Sequence, residues 1–389
     1  MKEQVNQTGR MMRSNNGTIT HATISPCDNE RRIFNQARSA VRAGWQVQIL
    51  ARKLEGIAAE EIRDGYLIRR IPLRRNSGGP FMFLFFNLKL FWRLQRCKSG
   101  IIHAHDLWVL PACGTAVLLS RSKLIYDAHE YYRGLEILRH KPFSRMIWRF
   151  AEWLFIRIAA KIVVINGFHK ELFRKTYPFI NEPAVIMNLP ELNSEIGRLT
   201  FRQRNAGLLF QGIFKPARGL PQLIRAMQQV EGGILTLVGF GELEKELERL
   251  VNGLSLQTKV IFAGKMPVTR LLEKSETARA GLVLFEPAGA NYKFASPNKF
   301  FEYVMAGTPV VASRIPTFES FLQEFEVGLL VNPDDEAEIA AACRTLLLDE
   351  EKWQALHENC LKARQVWNWE KQEQLLLDLY RELNSDRNE

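Results

Sequence analysis

The sequence lacks a long hydrophobic run and contains little cysteine. No apolar run reaches the ~20 residues that a membrane-spanning helix needs. The first residues, MKEQVNQTGRMMRSNNG, are polar and have no apolar centre of the kind found in signal peptides, so we expect a disordered lead over residues 1–17. The five cysteines are odd in number and show no paired spacing, which predicts reduced thiols in a cytoplasmic protein and argues against a disulfide frame or a zinc site.

Acidic residues are scarce in one half of the chain only. Residues 1–190 contain 30 Lys and Arg against 14 Asp and Glu, a net charge of +16, whereas residues 191–389 contain 23 against 28, a net charge of −5. The basic half is expected to attract an anionic surface or substrate, and anionic lipid and nucleic acid both qualify on charge. Because no basic-aromatic binding module is present, we predict that nucleic acid is not a partner.

Strand-like apolar segments alternate with helical segments along most of the chain, and no short repeat appears. Each strand candidate is almost entirely apolar, which predicts α/β domains with doubly wound parallel sheets. The polar stretch 192–207 is the expected linker between two Rossmann-like halves, 18–191 and 208–365. The last segment, 366–389, reads as a helix that packs back on the N-terminal half.

Polar groups follow two strand candidates of the first half, HAHD at 103–106 and DAHE at 127–130. They supply His103, His105, Asp106, Asp127, His129 and Glu130. We expect these residues to line the acceptor side of a catalytic cleft, because ligands bind beyond the carboxyl ends of parallel strands. Two other interpretations stay open: side chains that satisfy strand ends, and metal ligands. Because H-x-H on a strand fixes no third ligand, we predict no metal site.

Gly-rich turns end two strand candidates of the second half, QGIFKPARG at 211–219 and VGFGELE at 238–244. Gly212 and Gly239 allow tight turns at a ligand, and Lys215 and Arg218 suit a diphosphate. A solvated loop is the alternative for the first turn. In the second, Glu244 stands where a dinucleotide fingerprint has its third glycine, so the pattern favours a tight turn that lines a cleft over an NAD site.

The segment SPNKFFEYVMAGTPVVAS, residues 296–313, reads as a capped helix that leads into a buried strand. Ser296 is a good N-cap, and Pro297 suits the first helical position. The free amides of Asn298 and Lys299 would form an anion site, to which the Lys299 charge adds. Glu302 lies one turn further and could accept hydrogen bonds from sugar hydroxyls. A core helix with a Lys–Glu pair at its rim is the alternative.

Two basic helices of the first half raise the question of a membrane. In residues 81–98, Lys89, Arg93 and Arg96 share one face of an otherwise aromatic and aliphatic helix. This pattern fits an interfacial helix on an anionic membrane surface, or equally a core helix with one exposed basic stripe. Residues 143–161 repeat the theme, but Glu152 and a shorter apolar arc favour a core helix there.

Taken in order, these motifs resemble those of glycosyltransferase family 4 (group 1) over about Thr18 to Leu383. The most specific element is SPNKFFEYVMAGTPVVAS, which is similar to the donor-site segment of that family. IIHAHDLWVLPA and KLIYDAHE resemble acceptor-side segments, and LLFQGIFKPARGLPQLIRAM resembles the opening of the donor half. The resemblance implies a GT-B fold, in which two Rossmann-like doubly wound domains face a central cleft.

The resemblance also implies roles for single residues. Glu302 would accept hydrogen bonds from the nucleotide ribose, residues 296–299 and Arg218 would hold the diphosphate, and His129 would lie near the reacting centre. The residues expected to hold the base are Lys265 and Met266. Many members carry a glutamate where this chain has Phe294 and an arginine where it has Ile213. These departures concern the contacts to the donor sugar.

We therefore expect a metal-independent transferase that uses no cofactor. It would move a sugar from a UDP- or GDP-sugar to a glycan or lipid-linked acceptor, with retention, in cell-surface polysaccharide synthesis. The expected location is the cytoplasm, with peripheral attachment to the inner face of the membrane through residues 81–98. The alternatives are a nucleotide-sugar epimerase of the same fold and a basic scaffold, binding nucleic acid or membrane, without transferase activity. The donor, the acceptor and the oligomeric state are left open by the residues.

Overall fold

The computed structural model describes residues 16–73, 79–134 and 141–385, and the chain divides into two compact units. The first unit comprises the residues up to Asn188 together with those from Gln372 onward, and the second comprises Leu189–Lys371. The expected linker 192–207 lies inside the second unit, and its last three residues already belong to a strand. Most of the predicted disordered lead, residues 1–15, lies outside the described residues.

The first unit is built on an eight-stranded sheet in the order β3-β4-β2-β1-β5-β6-β7-β8. All neighbouring strands are parallel except β3 and β4, which pair antiparallel. The strands are β1 Thr18–Ala22, β2 Gln46–Arg52, β3 Glu60–Arg63, β4 Tyr66–Ile71, β5 Ile101–His105, β6 Lys123–Ala128, β7 Lys161–Val164 and β8 Ala184–Val185. The helices of this unit are α1 Arg31–Arg42, α2 Gly79–Cys97, α3 Leu110–Leu118, α4 Pro142–Phe155 and α5 Gly167–Thr176. The central strands are buried almost throughout, as their apolar sequences predict.

The second unit contains a six-stranded, fully parallel sheet in the order β11-β10-β9-β12-β13-β14. Its strands are β9 Asn205–Ile213, β10 Ile234–Phe240, β11 Val260–Gly264, β12 Ala278–Val283, β13 Val310–Ser313 and β14 Gly328–Val331. Its helices are α6 Leu220–Ala226, α7 Glu244–Gly253, α8 Val268–Thr277, α9 Ala290–Lys293, α10 Asn298–Met305, α11 Pro316–Glu324, α12 Glu336–Leu348 and α13 Glu350–Ala363. The final helix, α14 Trp369–Ser385, starts in this unit and continues into the first. The prediction of two doubly wound α/β domains is thereby confirmed.

Helix α10 begins one position later than predicted. Asn298 is its first residue, and Pro297 occupies the N-cap position in an extended conformation, with no side-chain hydrogen bond to the helix start. Ser296 is therefore not the N-cap. The ring of Pro297 fixes its φ at a value that a helix allows, but its ψ of 138° is extended, so the helix begins only at the next residue. The consequence for ligand binding is small, since Asn298 and Lys299 remain in the first turn, where amide groups have no intrahelical partner.

Helix α4 contradicts the prediction of a core helix with an exposed basic stripe. Its side chains at 143, 146, 147, 150, 153 and 154 are large, apolar and exposed, and they recur at helical spacing on one face. The residue that is buried instead is Glu152, which the sequence argument took as a sign of a core helix. Within the described residues, every helix is either too short or too polar to span a bilayer.

Candidate active site

A pocket of about 240 Å³ in the second unit is formed where β9 ends and α10 begins. It brings together six of the predicted ligand-binding residues: Gly212, Arg218, Pro297, Asn298, Lys299 and Glu302. The remaining lining residues are Phe210, Gln211, Ile213 and Leu271. Sequence reasoning noted Ile213 only as a departure from the family pattern and missed the other three as site residues. Phe210, Gln211 and Ile213 flank the predicted Gly212 on β9, so the motif itself was the available signal, whereas Leu271 comes from α8, for which no motif was found.

Glu302 is held at the pocket by a neighbouring strand. Its carboxylate accepts a hydrogen bond from the Gln211 side-chain amide, and both residues are buried. The hydroxyl of the next residue, Tyr303, donates to the Leu209 carbonyl over 3.0 Å and accepts from the backbone N–H of Gln211 over 3.1 Å. These bonds fix α10 against β9. Because Glu302 lies on α10, they also fix the position from which its carboxylate reaches the pocket.

Lys299 is a buried amine with an aromatic neighbour. Its Nζ lies 3.6 Å from the centroid of the Phe210 ring, a distance at which the face of the ring stabilises a positive charge. Burial, and then the nearby Arg218 charge, hold the pKa of Lys299 well below its usual value. An anion bound between the two cations would reverse that shift, because it would stabilise the ammonium form.

Arg218 is positioned by an unusual loop backbone. The residues on either side, Ala217 and Gly219, both have a φ of 61°. The guanidinium carbon of Arg218 lies 4.2 Å from the centroid of the Phe285 ring. Together with Lys299 and the first-turn amides of α10, this guanidinium supplies the donors that a diphosphate needs.

Five other predicted residues do not line this pocket: Lys215, Gly239, Lys265, Met266 and Ser296. Gly239 lies on β10 beside Gly212, and a Cβ at Gly239 would collide with the Gly212 carbonyl oxygen, so only glycine permits the two strand ends to approach so closely. Lys265 and Met266 directly follow β11, where the Lys265 Nζ is 5.3 Å from the centroid of the Phe240 ring.

In the first unit, a row of histidines lies at the carboxyl ends of the central strands. His21 on β1 and His105 on β5 are joined by a 2.9 Å contact between Nδ1 and Nε2, and His105 Nδ1 lies 3.2 Å from His129 Nε2. A fourth histidine, His103, lies 2.9 Å through its Nδ1 from the Tyr380 hydroxyl on α14. His21 and His105 are buried, whereas His129 is partly exposed.

Asp127 on β6 is the charged centre of this row. Arg32 donates from Nε to Oδ2 over 2.9 Å and from Nη2 to Oδ1, and the Gln36 amide donates to Oδ2 over 2.9 Å. Burial alone would raise the pKa of Asp127, but the charges of Arg32 and His129, with hydrogen bonds from two histidines, hold it well below its ordinary value. Burial lowers the pKa of His105 to about 3.

His129 is the member of the row suited to acid–base or charge-stabilising chemistry. Burial alone would lower the pKa of its imidazole, but Asp106 and Asp127 raise it above the ordinary value. Asp106 approaches from two sides: its Oδ1 accepts the His129 backbone amide over 3.1 Å, and its Oδ2 is 3.4 Å from Nδ1. The predicted acceptor-side residues His105, Asp106 and His129 are thus brought together, and Glu130, next in sequence, is exposed.

Two groups in this row have the donor types of a metal site: His21 with His103 and His105, and His105 with Asp127 and His129. In the second group, however, Asp127 already forms an ion pair with Arg32, whose positive charge would oppose a divalent cation. In this second group, the contacts therefore fit an ion-paired hydrogen-bond network better than a metal centre. Sequence reasoning missed His21, Arg32, Gln36 and Tyr380, because each meets its partner only through the fold.

Comparison with known proteins agrees with the two-domain division. Residues 30–188 match the family model Glycosyltransferase Family 4, and residues 205–349 match Glycosyl transferases group 1. The lipopolysaccharide core biosynthesis glycosyltransferase LpsE of Rhizobium meliloti is 29% identical over 142 residues, which are 36% of this chain and only 39% of that relative.

Two solved structures share the fold over nearly the whole chain. Sucrose-phosphate synthase from Thermosynechococcus elongatus has a TM-score of 0.76 at 19% identity and covers 95% of this chain and 100% of its own. Anabaena HepE in complex with UDP-glucose has a TM-score of 0.71 at 19% identity and covers 93% of this chain and 99% of its own. With both family models matched in order on this fold, the chain belongs to the family 4, group 1 glycosyltransferases of the GT-B type.

Proposed function

We propose that the protein transfers a sugar from a nucleotide diphosphate sugar, UDP- or GDP-linked, to a glycan or lipid-linked acceptor. The observation that carries the proposal is the pocket in which Arg218, Lys299 and the first-turn amides of α10 adjoin the Glu302 carboxylate. The pocket thus combines a cationic end for a diphosphate with an acceptor for ribose hydroxyls. The complex of HepE with UDP-glucose supports UDP as the nucleotide.

The chemical demand of this reaction is to stabilise the negative charge that develops on the departing diphosphate. Arg218 and Lys299 would meet that demand as fixed cations in a desolvated site, so the proposed reaction is metal-independent and uses no cofactor. Retention of configuration is part of the proposal, and it rests on the family to which the chain belongs. His129, with its raised pKa, would hold a hydroxyl of the donor or acceptor or balance charge near the reacting carbon.

The two departures from the family pattern bear on the sugar and not on the nucleotide. Ile213, which replaces an arginine of many members, lines the pocket. Phe294, which replaces a glutamate, follows α9, and the Lys293 Nζ lies 5.8 Å from its ring centroid. We propose that Lys293 or Lys215 takes over part of the missing polar contact.

The acceptor, the pathway and the location belong to the same proposal. The name of the Rhizobium meliloti relative supports a role in cell-surface polysaccharide synthesis, although the match spans 39% of that relative. A cytoplasmic location, peripheral to the inner face of the membrane, stays a prediction.

The proposal is tested by donor binding followed by product analysis. UDP- and GDP-sugars are screened by thermal shift, because a ligand that binds the folded state raises its stability. The donor that binds is then incubated with and without a glycan or lipid-linked acceptor. Transfer to the acceptor supports the proposal, whereas conversion of the sugar without acceptor indicates an epimerase, and binding of no nucleotide sugar overturns the proposal.

Arg218→Ala tests the assigned chemistry. We expect this variant to lower kcat more than it raises KM, by roughly a hundredfold in kcat, because the charge that Arg218 meets grows as the diphosphate departs. The control is Arg249→Ala, which removes an exposed arginine from α7. A change in KM alone would show that Arg218 binds only the ground state.

A further inference from the structure

The outer face of α4 is apolar where a helix of a globular protein is normally polar. We define this face by Phe143, Met146, Ile147, Phe150, Trp153 and Leu154, all exposed. Phe143 is 70% exposed and Phe150 is 61% exposed, so these rings are not partly covered core residues. Contiguous exposed apolar surface of this kind marks a site that another molecule or a membrane covers.

The orientation of α4 is fixed from the inside by a carboxylate. Glu152 is 1% exposed, and it accepts hydrogen bonds from the hydroxyls of Tyr126, over 2.9 Å, and Tyr177. Rotating α4 to bury its apolar face would move Glu152 away from both hydroxyls and leave them unsatisfied. The exposure of the apolar face is therefore specified by the packing of the helix.

Helix α2 presents a second apolar face beside the first. Its exposed residues Phe81, Leu84, Phe85, Leu88 and Trp92 recur at helical spacing, whereas its opposite side contributes buried residues to the core. The two helices contact each other through Phe83 and Trp148, whose ring centroids are 5.5 Å apart. We call the two outer faces together the α2–α4 surface.

The charges around the α2–α4 surface select among its possible occupants. Lys89 and Arg93 on α2 and Arg145 and Arg149 on α4 are basic, and among the described residues of both helices the only acidic one is the buried Glu152. A second copy of the same surface would bring these cations against like charges. An anionic bilayer complements both the charge and the apolar rings.

We propose that the α2–α4 surface is a two-helix docking site for an anionic lipid bilayer. The exposed Phe, Leu, Ile and Met side chains enter the boundary between headgroups and acyl chains. Trp92 and Trp153 lie at the level of the headgroups, which tryptophan prefers, and the basic side chains bind lipid phosphates. This extends the surface beyond residues 81–98 to a helix on which the sequence pattern favoured the opposite interpretation, and lipid binding does not depend on sugar transfer.

The test is flotation of the full-length protein with vesicles. The vesicles contain phosphatidylcholine alone or mixed with phosphatidylglycerol, and each is used at low and high salt. We expect the wild-type chain to float with the anionic vesicles. High salt should remove the part of the binding that the cations contribute and leave the part that the apolar side chains contribute. The double variant Phe150→Asp with Trp153→Asp should lower vesicle binding about tenfold, mainly in the salt-resistant part.

Charge is tested separately with matched variants. Arg145→Glu with Arg149→Glu should lower binding to anionic vesicles and remove much of the salt dependence, whereas Lys245→Glu with Arg249→Glu makes the same charge change on α7 of the second unit and should leave binding near the wild-type level. Leu348→Asp is the apolar control, since Leu348 is 66% exposed on α12. Circular dichroism and nucleotide binding check that each variant is folded.

Three outcomes would overturn the inference. In the first, the folded wild-type chain stays unbound with anionic vesicles. In the second, the α4 variant floats as the wild type does, so that α4 does not enter the lipid. In the third, the wild type is a dimer that the α4 variant converts to a monomer while vesicles are not bound, so that a second copy covers the surface. None of these outcomes bears on nucleotide-sugar binding, which is measured without vesicles.

Discussion

Lys299 is buried beside Arg218, and both features disfavour its protonated form. An anion bound between the two side chains would stabilise that form. Burial and the Arg218 charge lower the pKa of Lys299. A bound diphosphate would raise it again, because opposite charge favours the protonated form. The state of this one side chain is therefore linked to occupancy of the pocket.

We predict that binding of a nucleoside diphosphate is accompanied by proton uptake at Lys299. Uptake occurs wherever the pH lies between the lowered pKa of the free protein and the raised pKa of the complex. Calorimetric titration in two buffers of different ionisation enthalpy measures the uptake directly. Lys299→Met should abolish the difference between buffers, and persistence of the same difference in that variant would assign the proton to another group.

Glu302→Gln should weaken nucleotide binding while leaving the fold intact. The amide is isosteric and can still pair with Gln211, but it lacks the charge with which a carboxylate accepts a strong hydrogen bond from ribose. We expect a loss of about 1.5–3 kcal/mol in binding, the usual range for a hydrogen bond to a charged group. The matched control is Glu324→Gln on α11, an exposed glutamate outside the pocket lining. Equal affinity of wild type and Glu302→Gln would remove Glu302 from the ligand.

The residues that sequence reasoning found and those it missed differ in how their partners are specified. Arg218, Lys299 and Glu302 belong to local motifs in which a strand end or a helix start dictates the chemistry, and all three line the pocket. By contrast, Arg32 binds Asp127, which is 95 positions away in the sequence, and Tyr380 binds His103, which is 277 positions away. No local pattern encodes such pairs, because sheet order and helix packing bring them together.

At the scale of elements, the strands of both sheets were predictable because parallel strands buried on both sides are almost wholly apolar. Strand β14 shows the limit of that rule, because it has only four residues and begins at Gly328, where a Cβ would collide with the Val310 carbonyl oxygen. Helix α4 shows a different limit. Periodicity identified the helix and its apolar arc but could not tell which side faces the core, since that choice depends on Tyr126 and Tyr177 from other elements.

A set of variants at Glu152 tests how α4 is held. Glu152→Leu should destabilise the first unit by about 2–5 kcal/mol, because two buried hydroxyls lose their acceptor. Glu152→Gln keeps one acceptor oxygen and should cost less. Adding Tyr126→Phe and Tyr177→Phe to Glu152→Leu should recover part of the loss, since removing both partners leaves nothing unsatisfied. Denaturant unfolding measures each step, and no recovery in the triple variant would show that the hydroxyls are not what Glu152 satisfies.

At the scale of the whole molecule, each unit has its own sheet and its own buried core. Among the described residues of the first unit, four histidines have a lowered pKa: His21, His103, His105 and His169. In the second unit, His357 is the histidine with a lowered pKa among the described residues. The units should therefore respond differently to acid.

We predict that the unfolding temperature of the first unit decreases more steeply than that of the second unit as the pH drops below 6.5. For His105, the pKa is about 3 in the folded chain against an ordinary 6.5, so the unfolded state binds more protons between these values and stability is lost as the pH falls. Each such histidine contributes up to about 1.4 kcal/mol per pH unit. Scanning calorimetry from pH 7 to about pH 5 resolves the two transitions, spanning the window just below the histidine pKa.

Nucleotide binding shows which of the two unfolding transitions belongs to the second unit. A nucleoside diphosphate that binds the pocket should raise the transition of the second unit, because it stabilises the folded state by mass action. His105→Gln should flatten the pH dependence of the other transition. Equal acid sensitivity of both transitions would contradict the role given to the buried histidine row.

Helix α14 crosses from the second unit into the first, and this has a consequence for the order in which the protein is made. The second unit, Leu189–Lys371, is one continuous stretch, whereas the first unit needs both the residues up to Asn188 and those from Gln372 onward. During synthesis, His103 leaves the ribosome 277 residues before Tyr380, whose hydroxyl is its partner. Domains fold as their residues emerge, so the second unit can be completed before the first. The first unit is completed only when the part of α14 from Gln372 onward has been synthesised.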